Sequence, residues 1–234
     1  MLRKRKVNGL KFLDEKIIAL RNEMREQENH ELTQQEAALQ KEPELQQEDS
    51  KTLQQVDLHQ DFVRIDNQEF PVISQSVLEG KMLIRMPNVF SIMPEELASL
   101  KYPSERRPNL IYTDETSTIN LALNMTDYHL TEAEVEEFQE YMIEVLEQAH
   151  PSAKWLETGM LEIQEKNIGF IEVITPAIDG DIFNLMFFAA LDGQTLIGTF
   201  NCMEEELENW RPVAKSTVEK LEFPIVGRNE VAMS

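Results

Sequence analysis

The chain has 234 residues, 41% of them hydrophobic and 28% charged, and carries a formal net charge of -21. That length allows one core of ordinary size plus additional material. The acidity disfavours nucleic acid as a direct partner, because binding it requires cations to neutralise phosphates. The single cysteine, Cys202, leaves no intrachain disulfide or thiolate cluster.

Residues 1–60 are crowded with Glu, Gln and Lys. Their basic start, MLRKRK, is followed by neither a long apolar core nor a small-residue cleavage site, so it does not read as a signal peptide. No run in the chain approaches the roughly 20 apolar residues of a membrane span. A cytoplasmic location is expected on these grounds. Phe12, Leu13, Ile17, Leu20 and Met24 recur at helical spacing and predict an amphipathic helix over about residues 8–40. Leu32 and Leu39 continue the trace only weakly, short of the heptads a coiled coil needs. The segment is expected to be a partly disordered or coiled-coil-like arm. It could serve as a flexible tail, as a partner or homo-oligomerisation helix, or as a helix on a membrane surface.

Residues 61–80 are expected to form a connector with short extended pieces, in which Pro71 argues against a central strand. The main domain is predicted over 81–223, followed by a tail at 224–234. MLIRMPNVFSIMP, starting at Met82, reads as an irregular or edge strand, and PEELASL as a brief helix. Leu110 to Tyr112 and Thr118 to Met125 read as a hairpin turning at DETS, with Ile119, Leu121 and Leu123 on one face. Thr131 followed by Glu134 is a capping box. The helix it opens carries an apolar stripe of Val135, Phe138, Met142, Val145 and Ala149, and ends at His150-Pro151.

The stretch from Met160 to Phe200 predicts four antiparallel strands turning at Lys166-Asn167, Asp179-Gly180 and Asp192-Gly193. Ile182 to Leu191 is apolar at nearly every position, as expected of a central strand covered on both faces. A last helix is predicted from about Trp210, with Asn209 as N-cap and Pro212 in the first turn. The fold class is therefore α+β, an antiparallel sheet covered by helices, with an N-terminal helical arm.

No GxGxxG, GxxxxGK[ST] or GxSxG motif occurs, and the four histidines are scattered. No catalytic, cofactor-binding or metal residues are assigned, and no cofactor is expected. His129, at a strand end before the helix cap, is the imidazole best placed to lie near a cleft. Glu136, Glu140 and Glu144 repeat at i,i+4 on one helix face. This is either a solvated face or a docking surface for a basic partner, and Glu204, Glu205 and Glu206 pose the same choice. With the basic pair Arg106 and Arg107, and with Trp210 as an anchor should it be exposed, these three glutamates form the candidate interaction surface.

Three segments carry a resemblance to a known family: MLIRMPNVFSIMP, TINLALNMT and GTFNCMEEELENWRPVAKSTVEKLEF. Together they resemble the Mog1/PsbP-like superfamily, particularly bacterial DcrB-like proteins, over roughly the last two thirds of the chain. The resemblance implies an antiparallel sheet sandwiched by helices, and binding more often than chemistry. The expectation is a non-enzymatic protein-binding, adaptor or chaperone-like protein. The alternatives are a small hydrolase or ligand-binding enzyme with a sheet-end cleft, and a self-assembling component using residues 8–40.

Overall fold

The computed structural model describes residues 56–104, 107–178 and 180–224. In chain order the strands β1 (Phe62–Ile65), β2 (Gln68–Val77), β3 (Met82–Pro87) and β4 (Ser91–Ile92) precede helix α1 (Glu95–Lys101). Strands β5 (Leu110–Thr113) and β6 (Asn120–His129) lead to α2 (Val135–Ala149). The meander β7 (Lys154–Ile163), β8 (Lys166–Ala177), β9 (Gly180–Leu191) and β10 (Gln194–Met203) leads to α3 (Leu207–Glu219). All the strand pairs are antiparallel. One sheet has the order β1-β2-β3 and the other β4-β5-β6-β10-β9-β8-β7.

Side-chain alternation decides what covers each face of the larger sheet. Phe183, Leu185 and Phe187 of β9 point to one side, where they join Leu121, Phe200, Val213 and Val218 in a core shared with Met82 and Ile84. Phe188 and Ala190 point to the other side, against Val135 and Phe138 of α2. Near β4, α1 places Ala98 over Ile111 and Ala122. Thus α3 and the small sheet cover one face, while α1 and α2 cover the other. β9 is interior, as its nearly continuous apolar run predicts. Gly198 of β10 faces Phe187 of β9, and a Cβ there would lie 2.0 Å from the phenylalanine ring. The missing side chain is what lets that ring lie over its neighbouring strand.

Several expectations need correction. The supposed connector at 61–80 is the β1–β2 hairpin, and Leu58, Val63 and Ile65 are buried with the main core. Pro71 lies in β2, the middle strand of the small sheet, opposite Phe62. The strand tolerates it because Pro71 lies at the end of the β2–β3 ladder, whose paired register begins at Val72, and takes part there through its carbonyl, which accepts the Asn88 amide at 2.9 Å. The β7–β8 turn is at Gln164 (φ 51°) and Glu165 (φ 63°), two residues before Lys166-Asn167. Packing of Leu161 and Ile168 sets that register and imposes left-handed backbone on two non-glycine residues. Asp192 (φ 53°) and Gly193 (φ 74°) form the expected β9–β10 turn.

The last helix begins a turn earlier than predicted, after a 3-10 turn at Glu204–Glu206, so Asn209 and Pro212 lie inside α3. The stripe of α2 also shifts. Val135, Phe138 and Gln139 are buried and Met142, Ile143 and Leu146 half-buried, whereas Val145 and Ala149 are exposed. Gln139 can be interior because Gly169 leaves room for it and its amide donates to the Gly159 and Phe170 carbonyls at 3.0 and 2.7 Å. The helix predicted at 8–40, its coiled-coil character and its role in assembly lie outside the described residues.

Candidate functional site

The end of β6 and the first turns of α2 bring three aromatic rings together. Tyr128 comes from the strand, Phe138 and Tyr141 from the helix. Phe138 lies 5.6 Å from Tyr128 and 6.4 Å from Tyr141, between ring centroids. Beneath, it meets Phe188 of the sheet edge to face at 5.5 Å. Phe138 is therefore a fixed floor, while Tyr128 (61% exposed) and Tyr141 (47%) stand as walls. With Leu130, Glu134 and Glu137 they enclose a hollow of about 240 Å³.

The start of α2 is built as the sequence predicts. The Glu134 carboxylate accepts the Thr131 hydroxyl and backbone amide through Oε2, at 2.6 and 2.9 Å. Those two bonds hold the carboxyl below its usual value, against a small opposing effect of burial, and the nearby His129 lowers it slightly further. His129 is exposed, and its Nδ1 lies 2.6 Å from the Gly193 carbonyl. Its ring is not among the walls of the hollow. A deep pocket joining His129 with a carboxylate, one arrangement that a hydrolase could use, is therefore not formed at this place.

Glu136, Glu140 and Glu144 are exposed on α2. Glu137 and Glu147 join them, and the helix contains neither lysine nor arginine. Val145, 37% exposed, continues the apolar surface of Tyr141 one turn on. Tyr128, Tyr141 and Val145 thus form an apolar strip bordered by carboxylates. The tyrosines were not singled out from sequence. Their only signal was position: a strand-end residue, and a helix residue three beyond the core Phe138.

The other expected surface residues lie elsewhere. Arg106 is outside the described residues. Arg107 is exposed and donates from Nη1 to the Ser99 hydroxyl at 2.6 Å, beside α1. Trp210 is buried, with Phe90 at 5.8 Å and Phe200 at 6.3 Å, so its indole packs in the core and is not displayed as an anchor. Glu204 pairs with Lys154 at 3.1 Å. Burial pushes the Cys202 thiol up to about 12, with the Glu206 charge adding to it. It stays protonated at neutral pH and is no nucleophile.

A second hollow, about 710 Å³, runs beside α3 and is lined by Asp57, Gln60, Glu157, Arg211, Lys215 and Lys220 among others. Its charges are largely paired with one another: Lys215 with Glu157 at 2.8 Å, Lys220 with Asp57 at 3.8 Å, and Arg211 with Glu157 at 3.2 Å. Arg211 also reaches Glu172, fully buried on β8, at 2.6 Å. The pairs to Glu157 and Glu172 fasten α3 to the β7–β8 side of the sheet, and Lys220 with Asp57 ties its end to the segment before β1. Among the described residues no group of three or more His, Cys, Asp or Glu is placed to hold a metal ion.

The described residues thus form an α+β fold in which an antiparallel sheet lies between helices. No family model matches the sequence, and no curated protein matches it. Similar solved structures exist. One is the cyanobacterial PsbP of Synechocystis, with 8% identity and a TM-score of 0.49 over 65% of this chain and 92% of that one. Another is LpqN of Mycobacterium tuberculosis, with 11% identity and a TM-score of 0.45 over 65% and 92%. A Pseudomonas aeruginosa protein of unknown function shares 12% identity, with a TM-score of 0.38 over 68% and 98%. These are likenesses of fold and carry nothing about activity.

The cytoplasmic location expected from the sequence is not kept; among the similar solved proteins, LpqN is described as involved in cell envelope biogenesis. A lone cysteine and the want of a long apolar run suit many compartments, so composition could not decide the matter. Among the described residues no helix is long and apolar enough to cross a membrane.

Proposed function

We propose that this protein is a non-enzymatic protein-binding module that docks a basic partner on the outer face of α2. The observation that carries the proposal is the composition of that face. Five glutamates, no cation and an apolar strip of Tyr128, Tyr141 and Val145 are displayed side by side. Glutamates on one helix face repel each other by about 0.2–0.5 kcal/mol per i,i+4 pair. A cationic partner would relieve that cost, and the apolar strip would add contact area. Long-range attraction by a chain of charge -21 would speed the encounter. The DcrB-like affinity of the sequence belongs with this proposal, as does an adaptor or chaperone-like use of the module.

The test is affinity capture from native lysate with the full chain and with a Glu136→Lys/Glu140→Lys/Glu144→Lys variant, at low and moderate salt. The expected outcome is a basic protein retained by the parent, lost by the variant and weakened by salt. Identical capture by parent and variant would refute docking on α2.

A further inference from the structure

The hollow between Tyr128, Phe138 and Tyr141 has a chemistry narrower than the acidic face around it. Resting on the docking role of α2, we propose that it is a receptor for one arginine side chain of the partner, with the guanidinium seated against the tyrosine rings and facing Glu134 and Glu137. Its volume, about 240 Å³, lies below the roughly 300–1,000 Å³ of small-molecule sites and suits a single side-chain head group.

The aromatic faces supply the first half of the selectivity. A cation over a ring is drawn by the ring quadrupole, and arginine also stacks its planar group on the ring, which an ammonium cannot do. Two exposed walls and a buried floor are what stacking requires: open sides for entry, and a ring fixed from below by Phe188.

The carboxylates supply the second half. Both Thr131 bonds to Glu134 fall on Oε2, and no hydrogen bond within the described residues engages Oε1. The capping box therefore holds one carboxylate in place while leaving an acceptor for an incoming N–H, so little side-chain entropy is lost on binding. Glu137, one turn along α2, lines the same hollow and is exposed. Arginine offers several N–H donors in a fixed fork and can serve two carboxylates at once, whereas lysine presents a point charge.

The occupant follows from complementarity of charge and shape. A carboxylate would be repelled by the glutamates, and a neutral apolar side chain would leave Glu134 and Glu137 without a counter-charge. An arginine within a basic peptide satisfies the rings, the carboxylates and the surrounding face together.

The experiment uses the full chain with fluorescent oligo-arginine, oligo-lysine and oligo-citrulline peptides of equal length, read by anisotropy at two salt concentrations. Oligo-arginine should bind the parent several-fold more tightly than oligo-lysine, and oligo-citrulline should not bind. A Tyr128→Ala/Tyr141→Ala variant should lose about tenfold in oligo-arginine affinity and little in oligo-lysine affinity. That variant leaves the net charge unaltered, and both tyrosines are exposed, so a thermal melt should match the parent. Glu136→Gln/Glu140→Gln/Glu144→Gln should weaken both cationic peptides alike. Unchanged oligo-arginine binding in the tyrosine variant would overturn the arginine receptor, as would equal affinity of the parent for arginine and lysine. If the glutamine variant still lost both peptides, the docking face would survive that result. Indifference to every substitution, or no binding by the parent, would remove both.

Discussion

Glu172 stands on β8 with its side chain wholly buried, and Arg211 reaches it from α3 with two hydrogen bonds to Oε2, at 2.9 and 2.6 Å. Its other oxygen, Oε1, has no hydrogen-bond partner among the described residues. An interior charge in this position is tolerable only while its counter-charge is present. Replacing Arg211 by alanine should therefore destabilise the fold by about 3 kcal/mol, since it strands a buried carboxylate. Replacing both partners with apolar residues, Glu172→Leu with Arg211→Met, should leave stability within about 1 kcal/mol of the parent. Urea denaturation of the two variants checks both outcomes. A single variant no worse than the double would show that the pair is not coupled as described. Neither Glu172 nor Arg211 had a distinguishing mark in the sequence. Glu172 is one of 43 acidic residues, and its partner is 39 positions away.

At the scale of elements, the capping box before α2 was legible because its two residues are close in sequence and the chemistry is local. Its contribution should depend on pH in a definite direction. The Glu134 carboxyl lies below its usual value when folded, through the Thr131 hydroxyl and then the Thr131 amide. The stabilisation is complete above the unfolded value of about 4.3 and is lost as pH falls through the lower folded one. Thr131→Ala should therefore melt below the parent near neutral pH, and the gap should narrow as pH falls below the unfolded value of about 4.3. A gap that stayed constant on acidification would mean that the carboxylate plays no part. Turn positions were less legible. Lys166-Asn167 offers an ordinary turn residue in Asn, yet the chain turns at Gln164 and Glu165. Burial of Leu161 and Ile168 against the core outweighs the local preference. In addition, the Gln164 side chain accepts the Phe223 amide at 2.7 Å, which ties this turn to the end of the described chain.

For the whole molecule, a charge of -21 makes self-repulsion a general cost of the compact state. The screening length shrinks from about 30 Å at 0.01 M salt to about 10 Å at 0.1 M. The full chain should therefore melt at a higher temperature as sodium chloride rises through that range. Binding of a basic partner should weaken over the same range. A melting temperature that falls with salt would mean that the surface ion pairs, such as Lys81 with Asp192 at 3.0 Å, outweigh the net repulsion.

The amino-acid order by itself determined the class of the fold. Alternation in β6, the nearly continuous apolar run of β9, the turn at Asp192-Gly193 and the cap at Thr131 each depend on residues a few positions apart, so local physics is enough to read them. Only the tertiary structure decided which surfaces are used up. It buried Trp210 between Phe90 and Phe200, left Val145 outside the core stripe, and drew residues 61–80 into a second sheet. It also brought Tyr128 from the end of a strand against Phe138 of a helix, which no periodicity within either element could announce. Burial and convergence depend on which elements meet across the chain. The glutamates of α2 could be listed from sequence as a face, but the aromatic hollow at its start exists only because β6 ends where α2 begins to pack on β8 and β9.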